Sequence, residues 1–217
     1  MEDKLIKHVD NLIDSYPKLF VCKGDIVKAY EIMEAAYSSD RKLLVCGNGG
    51  SASDSEHIVG ELMKEFKLKR KVYGKQAIAM MKIDAELGQT LADNLQGALP
   101  AICLTGHSSL TTAFMNDANA DLVFAQQVNG YGKPGDVYLG ISTSGNSKNV
   151  VYAAITAKAK GLKVIGLTGS RESKLSKLAD VCICVPETET YKIQELHLPV
   201  YHCLCLMLED KFFGTTN

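Results

Sequence analysis

No segment of this 217-residue chain approaches the ~18 consecutive apolar residues that a membrane-spanning helix needs, which predicts no span. The opening MEDKLIKHVDNLI lacks an apolar core flanked by basic residues, so no signal peptide is expected. Net basic charge is also missing. A formal charge of −1 and a pI near 6.5 argue against nucleic acid or an anionic membrane as the main partner, because both call for a positive surface. Lys64, Lys67, Lys69, Arg70 and Lys71 form one local basic run, which reads as a solvated helix end and loop. Internal repeats and low-complexity tracts are absent. Zinc-type cysteine spacing is absent as well: Cys182 and Cys184 share a strand face, but no second pair accompanies them.

What remains is a chain that is 46% hydrophobic, with enough apolar mass for one sizeable core. The seven cysteines sit inside apolar runs, as reduced core residues of a cytoplasmic protein would.

Helical periodicity over residues 2–19 and 24–39 predicts two amphipathic helices, with Pro17 near the break. Short apolar runs at 42–46, 101–104, 137–141, 164–167 and 181–185 read as buried strands. Helices are expected at about 52–66, 147–160, 173–178 and 189–213. Residues 67–99 show no long periodicity and read as an insertion or long loop. Apolar strands alternating with helices imply an α/β fold with a central parallel sheet covered on both faces, a three-layer sandwich behind an N-terminal helical extension over 1–40. Residues 1–217 then form a single domain. Ligands of such sheets bind beyond the carboxyl ends of the strands. Those ends carry Gly47–Ser51, Thr105–His107, Ser142–Ser144 and Thr168–Ser170, all but His107 small.

Ser142-Thr143-Ser144-Gly145-Asn146-Ser147 places four hydroxyls between a strand and a helix start. Unpaired N–H groups and the helix dipole add to them, and together they suit a phosphate. The loop has no lysine, so binding rests on hydrogen-bond donors. Gly47, Gly49 and Ala52 match a G-x-G-x-x-A dinucleotide pattern, but no acidic residue follows at ribose-binding distance. An NAD enzyme is therefore the least favoured reading, and the glycines read as a tight turn that lets backbone approach a small polar ligand. His57 and Glu61, four apart on a helix, share one face, which suits a surface pair or two ligands of a metal such as zinc. Gln194 and His202 lie two turns apart on the apolar final helix. His197 points elsewhere, with exposure or a core hydrogen bond as its default. Pro199, between Gln194 and His202, should kink that helix.

The segments CGNGGSASDSEHIVGEL, GISTSGNS, GLTG and YKIQELHLPVYH together resemble the sedoheptulose 7-phosphate isomerase (phosphoheptose isomerase) family. The resemblance spans nearly everything outside about 66–98. It implies a sugar-isomerase (SIS) fold and one Zn2+ per subunit held by His57, Glu61, Gln194 and His202. It implies substrate contacts from Asn48, Gly49, Gly50, Ser51, Asn116, Asp117, Ser142, Thr143, Ser144 and Ser147, and from Glu61 and Gln194. It also implies Glu61 and His202 as catalytic base and acid, and a homotetramer with active sites at subunit interfaces. Glu65 stands where the family often has a glycine-arginine pair, removing one basic contact. The remaining alternatives are an isomerase of another phosphosugar and a non-catalytic sugar-phosphate sensor.

Overall fold

The five apolar runs pair into one sheet. Strands β1 (Leu43–Cys46), β2 (Ala101–Cys103), β3 (Val137–Ile141), β4 (Lys163–Thr168) and β5 (Val181–Cys184) lie in the order β2-β1-β3-β4-β5. Every pairing is parallel, with Leu43 opposite both Ala101 and Val137, and Cys46 opposite Gly140. The computed structural model describes residues 3–214. Residues 1, 2 and 215–217 of the expected domain, including the start of the first helix, lie outside the described residues.

Successive side chains on a strand point to opposite faces, so each strand supplies two layers. Leu43, Val45, Leu139, Ile141, Ile165 and Leu167 face one core, shared with α1 (Asp3–Ser15), α2 (Lys23–Ser38), α3 (Gly50–Met63) and α10 (Thr190–Phe213). Leu44, Cys46, Tyr138 and Val164 face the other, under α7 (Val123–Tyr131), α8 (Lys148–Ala159) and α9 (Lys174–Leu178). This is the expected α/β three-layer sandwich. The sheet reverses direction of growth at β1/β3, which is where ligands bind in sheets of this order.

Three expectations need correction. Residues 67–99 are not a featureless loop: they contain α4 (Lys75–Ile83) and α5 (Ala85–Asn94), joined as a hairpin. Asp84 caps α5 by accepting from Leu87 N–H at 2.9 Å. The two helices are only 9 and 10 residues long, too short for a long period, and Leu87, Leu91 and Leu95 are all exposed. A further helix, α6 (Ser108–Asp117), and α7 fill the stretch after β2, for which no periodicity stood out.

Second, Arg70 is not part of a solvated run. Its side chain is 0% exposed and pairs with the equally buried Glu209 at 2.8 Å. It also donates to the carbonyls of Leu62 (2.9 Å) and Glu61 (3.0 Å) at the end of α3. Glu209 additionally accepts from Phe66 N–H (2.9 Å) and Lys67 N–H (2.8 Å). A guanidinium has several fixed donors, and burying it requires that they find acceptors. Here they tie α3, the chain after it and α10 together.

Third, His197 is neither exposed nor well hydrogen-bonded in the core: it is 0% exposed and neither ring nitrogen has a well-formed hydrogen bond among the described residues. Burial lowers its pKa to about 4, the Thr168 backbone opposing, so the ring is neutral near pH 7. Helix α10 continues through Pro199 as a single 24-residue helix, although proline has no N–H to donate to the Glu195 carbonyl.

Candidate active site

Two clusters carry the candidate residues, and only the first lies at the carboxyl ends of the strands. The first surrounds the β1/β3 crevice. After β1 the chain turns at Gly49, whose φ of 56° is a left-handed conformation that glycine adopts without strain. Helix α3 starts at Gly50, where a side chain would press on the Gln194 amide: a Cβ there would lie 2.6 Å from the amide nitrogen. After β3, Ser142 Oγ lies 3.0 Å from Ser147 Oγ and accepts from Gly145 N–H at 3.1 Å. Ser144 Oγ accepts from Asn146 N–H at 3.2 Å. Gly145 has φ 63°. The hydroxyls thus hold the loop's own shape while Thr143 and Ser144 line a cavity of about 210 Å³ with Asn146, Gly169, Ser170 and Arg171. Arg171 supplies a cation that the loop itself lacks, although Glu172 and Glu187 line the same cavity, and these neighbours became visible only in the fold. Ser51 is buried beneath the glycine turn.

Asn149, missed in the sequence, joins the two loops. Its side-chain amide exchanges reciprocal hydrogen bonds of 2.9 Å with Asn48 across the crevice. A lone Asn in the first turn of a helix carries no signal without its partner.

The second cluster lies farther along α3. His57 Nε2 is 3.2 Å from Glu61 Oε1, as the i, i+4 spacing requires. The His57 and His202 rings meet edge to face at 4.9 Å, and Phe66 borders His202 at 5.3 Å. His57 Nδ1 lies 3.0 Å from Tyr201 Oη, and Tyr201 Oη donates to Asp54 Oδ1 at 3.2 Å. Lys64 Nζ reaches Glu61 Oε2 at 3.5 Å. Burial, with His57 beside it, lowers the pKa of His202 and keeps that ring neutral; Glu61 opposes the shift. Burial likewise raises the pKa of Asp54, against the Tyr201 hydrogen bond.

The fold therefore brings His57, Glu61 and His202 together. Gln194 rests on Gly50, at the glycine-turn end of α10. His57 is seven residues beyond Gly50, roughly 10 Å along the helix at 1.5 Å per residue. Asn116 and Asp117 stand exposed at the end of α6, the Asn116 amide donating to Asp117 at 2.8 Å. Among the described residues no hydrogen bond links them to either cluster.

Among the described residues no three His, Cys, Asp or Glu side chains are already gathered as a metal shell. The donor chemistry nevertheless fits a cation such as zinc. His202 Nε2 is buried without a hydrogen-bond partner, and His57 turns a ring nitrogen toward a carboxylate oxygen. A larger cavity, about 650 Å³, opens at the amino ends of β4 and β5 between Lys28, Arg41, Pro134 and Lys163, far from every predicted site residue.

Comparison with known proteins agrees with this geometry. A family profile described as SIS domain matches residues 73–169. The phosphoheptose isomerase of Rhodospirillum rubrum is 36% identical over 210 residues, covering 97% of this chain and 98% of that protein. Among solved structures, phosphoheptose isomerase from Neisseria gonorrhoeae superposes with a TM-score of 0.72 at 31% identity, covering 96% of this chain and 98% of the other. One from Francisella tularensis gives 0.74 at 29% identity, over 96% and 97%. With the fold, the loops and the full-length likeness in agreement, the chain belongs to the phosphoheptose isomerase family.

Proposed function

We propose that this chain interconverts sedoheptulose 7-phosphate and D-glycero-D-manno-heptose 7-phosphate through an ene-diolate, with a divalent metal at the α3/α10 cluster. The isomerase activity rests on membership of the family, whose members are phosphosugar isomerases by name. The metal assignment rests on one observation of this chain: a buried, unpartnered His202 nitrogen beside the His57–Glu61 pair.

The residues divide the work. Ser142, Thr143, Ser144 and Ser147, with the start of α8 and Arg171 nearby, receive the phosphate and fix the far end of the sugar. Asn48, Gly49, Gly50 and Ser51 hold the chain past the crevice, with Gln194 against them. The reactive carbons then lie along α3. His57, Glu61 and His202 would hold zinc, and bound zinc would polarise the carbonyl and hydroxyl oxygens as a Lewis acid; Gln194, the expected fourth donor, rests at the glycine turn and would have to reach toward them. Glu61 moves the proton between C1 and C2, and His202 exchanges protons with the sugar oxygens from the other side. The lowered pKa of His202 favours the neutral ring, which has one lone pair for the metal and one N–H to donate to a sugar oxygen.

The functional unit in this reading is a cytoplasmic homotetramer with sites at subunit interfaces. What supports it is the exposed apolar surface of the α4–α5 hairpin, the exposed position of Asn116 and Asp117 at the end of α6, and seven free cysteines among the described residues. The test is incubation with sedoheptulose 7-phosphate, with and without chelator, followed by detection of the aldose phosphate. Product formed only with metal supports the whole reading. Metal-independent product removes the metal, and no product on any ketose phosphate favours a sugar-phosphate sensor.

A further inference from the structure

The His57 cluster contains two side chains that neither bind metal nor move protons in the scheme above. Tyr201 is 1% exposed, on α10 one residue before His202, and Asp54 lies one turn before His57 on α3. Their hydrogen bonds form a chain, Asp54 Oδ1 to Tyr201 Oη (3.2 Å) to His57 Nδ1 (3.0 Å), that ends at the far nitrogen from Glu61.

A phenol carries a single hydrogen, and an ionised carboxylate accepts only. The Tyr201 hydrogen is committed to Asp54, so the Tyr201 oxygen offers His57 nothing but a lone pair. His57 Nδ1 must then carry hydrogen, which leaves Nε2 as the nitrogen whose lone pair can face a cation beside Glu61. From this geometry we infer that Asp54 and Tyr201 are positioning residues that fix the tautomer and ring orientation of His57, so that Nε2 is the metal-binding nitrogen. The inference rests on the metal reading above, and it adds a direction: the hydrogen bond runs from His57 to Tyr201 to Asp54, and each link depends on the next.

That direction makes the effects of substitution distinct. Tyr201→Phe removes the acceptor at Nδ1. Asp54→Ala frees the Tyr201 hydrogen to turn toward Nδ1, which would make Nε2 the protonated nitrogen and block it. Asp54→Asn keeps an acceptor oxygen and should preserve the arrangement. Outer partners of a metal-bound histidine typically matter by 10- to 100-fold in affinity. The test measures zinc dissociation constants by competition with a chromophoric chelator on the full-length chain, together with 15N NMR of the histidine rings in the metal-free protein. Expected are a pyrrole-type Nδ1 on His57 in the wild type, zinc affinity about 10- to 100-fold weaker in Tyr201→Phe and Asp54→Ala, and Asp54→Asn within about threefold of wild type. A metal-free His57 protonated at Nε2 alone in the wild type overturns the inference. So do Tyr201→Phe and Asp54→Ala proteins that bind zinc as tightly as wild type. If the wild-type chain binds no zinc, the metal reading fails, and the ring spectra of wild type and Asp54→Ala still decide the tautomer.

Discussion

Asn48 and Asn149 face each other across the β1/β3 crevice and exchange two hydrogen bonds of 2.9 Å, each amide donating to the other's oxygen. They fasten the glycine turn to the first turn of α8, and so hold the two sides of the β1/β3 crevice at a fixed separation. Asn149→Ala should cost about 1 kcal/mol in stability, since the pair is partly solvated. Its larger effect should be on KM for the sugar phosphate, about 5- to 10-fold upward with kcat little changed. Steady-state kinetics beside a urea titration separates the two.

Glu61 and His202 carry the chemistry, so Glu61→Gln and His202→Ala should each lower kcat by at least about 10³. Circular dichroism and melting temperature should stay near wild type, because neither change breaks the Arg70 bonds to the α3 carbonyls. Near-normal turnover in either variant refutes the assignment.

The buried Arg70–Glu209 pair should be far less forgiving. Arg70→Met leaves a buried carboxylate without its cation and strips two carbonyls at the end of α3. A loss of about 3–5 kcal/mol is expected. Pairing Arg70→Met with Glu209→Leu should recover part of it, measured by denaturant unfolding at constant pH.

His197 makes stability depend on acid. Its folded pKa of about 4 lies below the ordinary value of 6.5, so the unfolded chain takes the proton first. The contribution of the neutral ring is complete above about pH 6.5, declines as pH falls, and is lost by about pH 4. The full swing is about 3 kcal/mol, at 1.36 kcal/mol per pH unit. His197→Leu should flatten that part of the unfolding free energy between pH 6.5 and 4. An unchanged acid profile would show that other groups govern it.

Gly145 stands at φ 63° with Ser173 Oγ where a methyl would go. Gly145→Ala should cost about 1–2 kcal/mol for the left-handed backbone alone, more with the clash. It should also distort the serine loop and raise KM more than it lowers kcat. Thermal unfolding and kinetics check both.

Much of this was open in the sequence. Buried parallel strands read as unbroken apolar runs such as Leu43–Cys46 and Val164–Leu167, and their turns end in glycine and serine because the chain must reverse sharply near a ligand. Such signals are local, and so are the i, i+4 pair His57/Glu61 and the donor-rich loop after β3. The α4–α5 hairpin left a weaker mark, since its helices are only 9 and 10 residues long.

Strand order, and therefore the crevice at β1/β3, came from the packing of distant segments, as did the partners of the charged and polar side chains. Arg70 meets Glu209 across 139 positions, Asn48 meets Asn149 across 101, and His57 meets Tyr201 across 144. Periodicity records which way a side chain points, because one helix turn or one strand pleat repeats within a few residues. It carries nothing about which side chain waits opposite. The amino-acid order thus determined the layers, the loops and the donor chemistry. The tertiary structure alone decided which basic residue was buried, which histidine nitrogens went unpartnered, and which hydroxyl would orient His57.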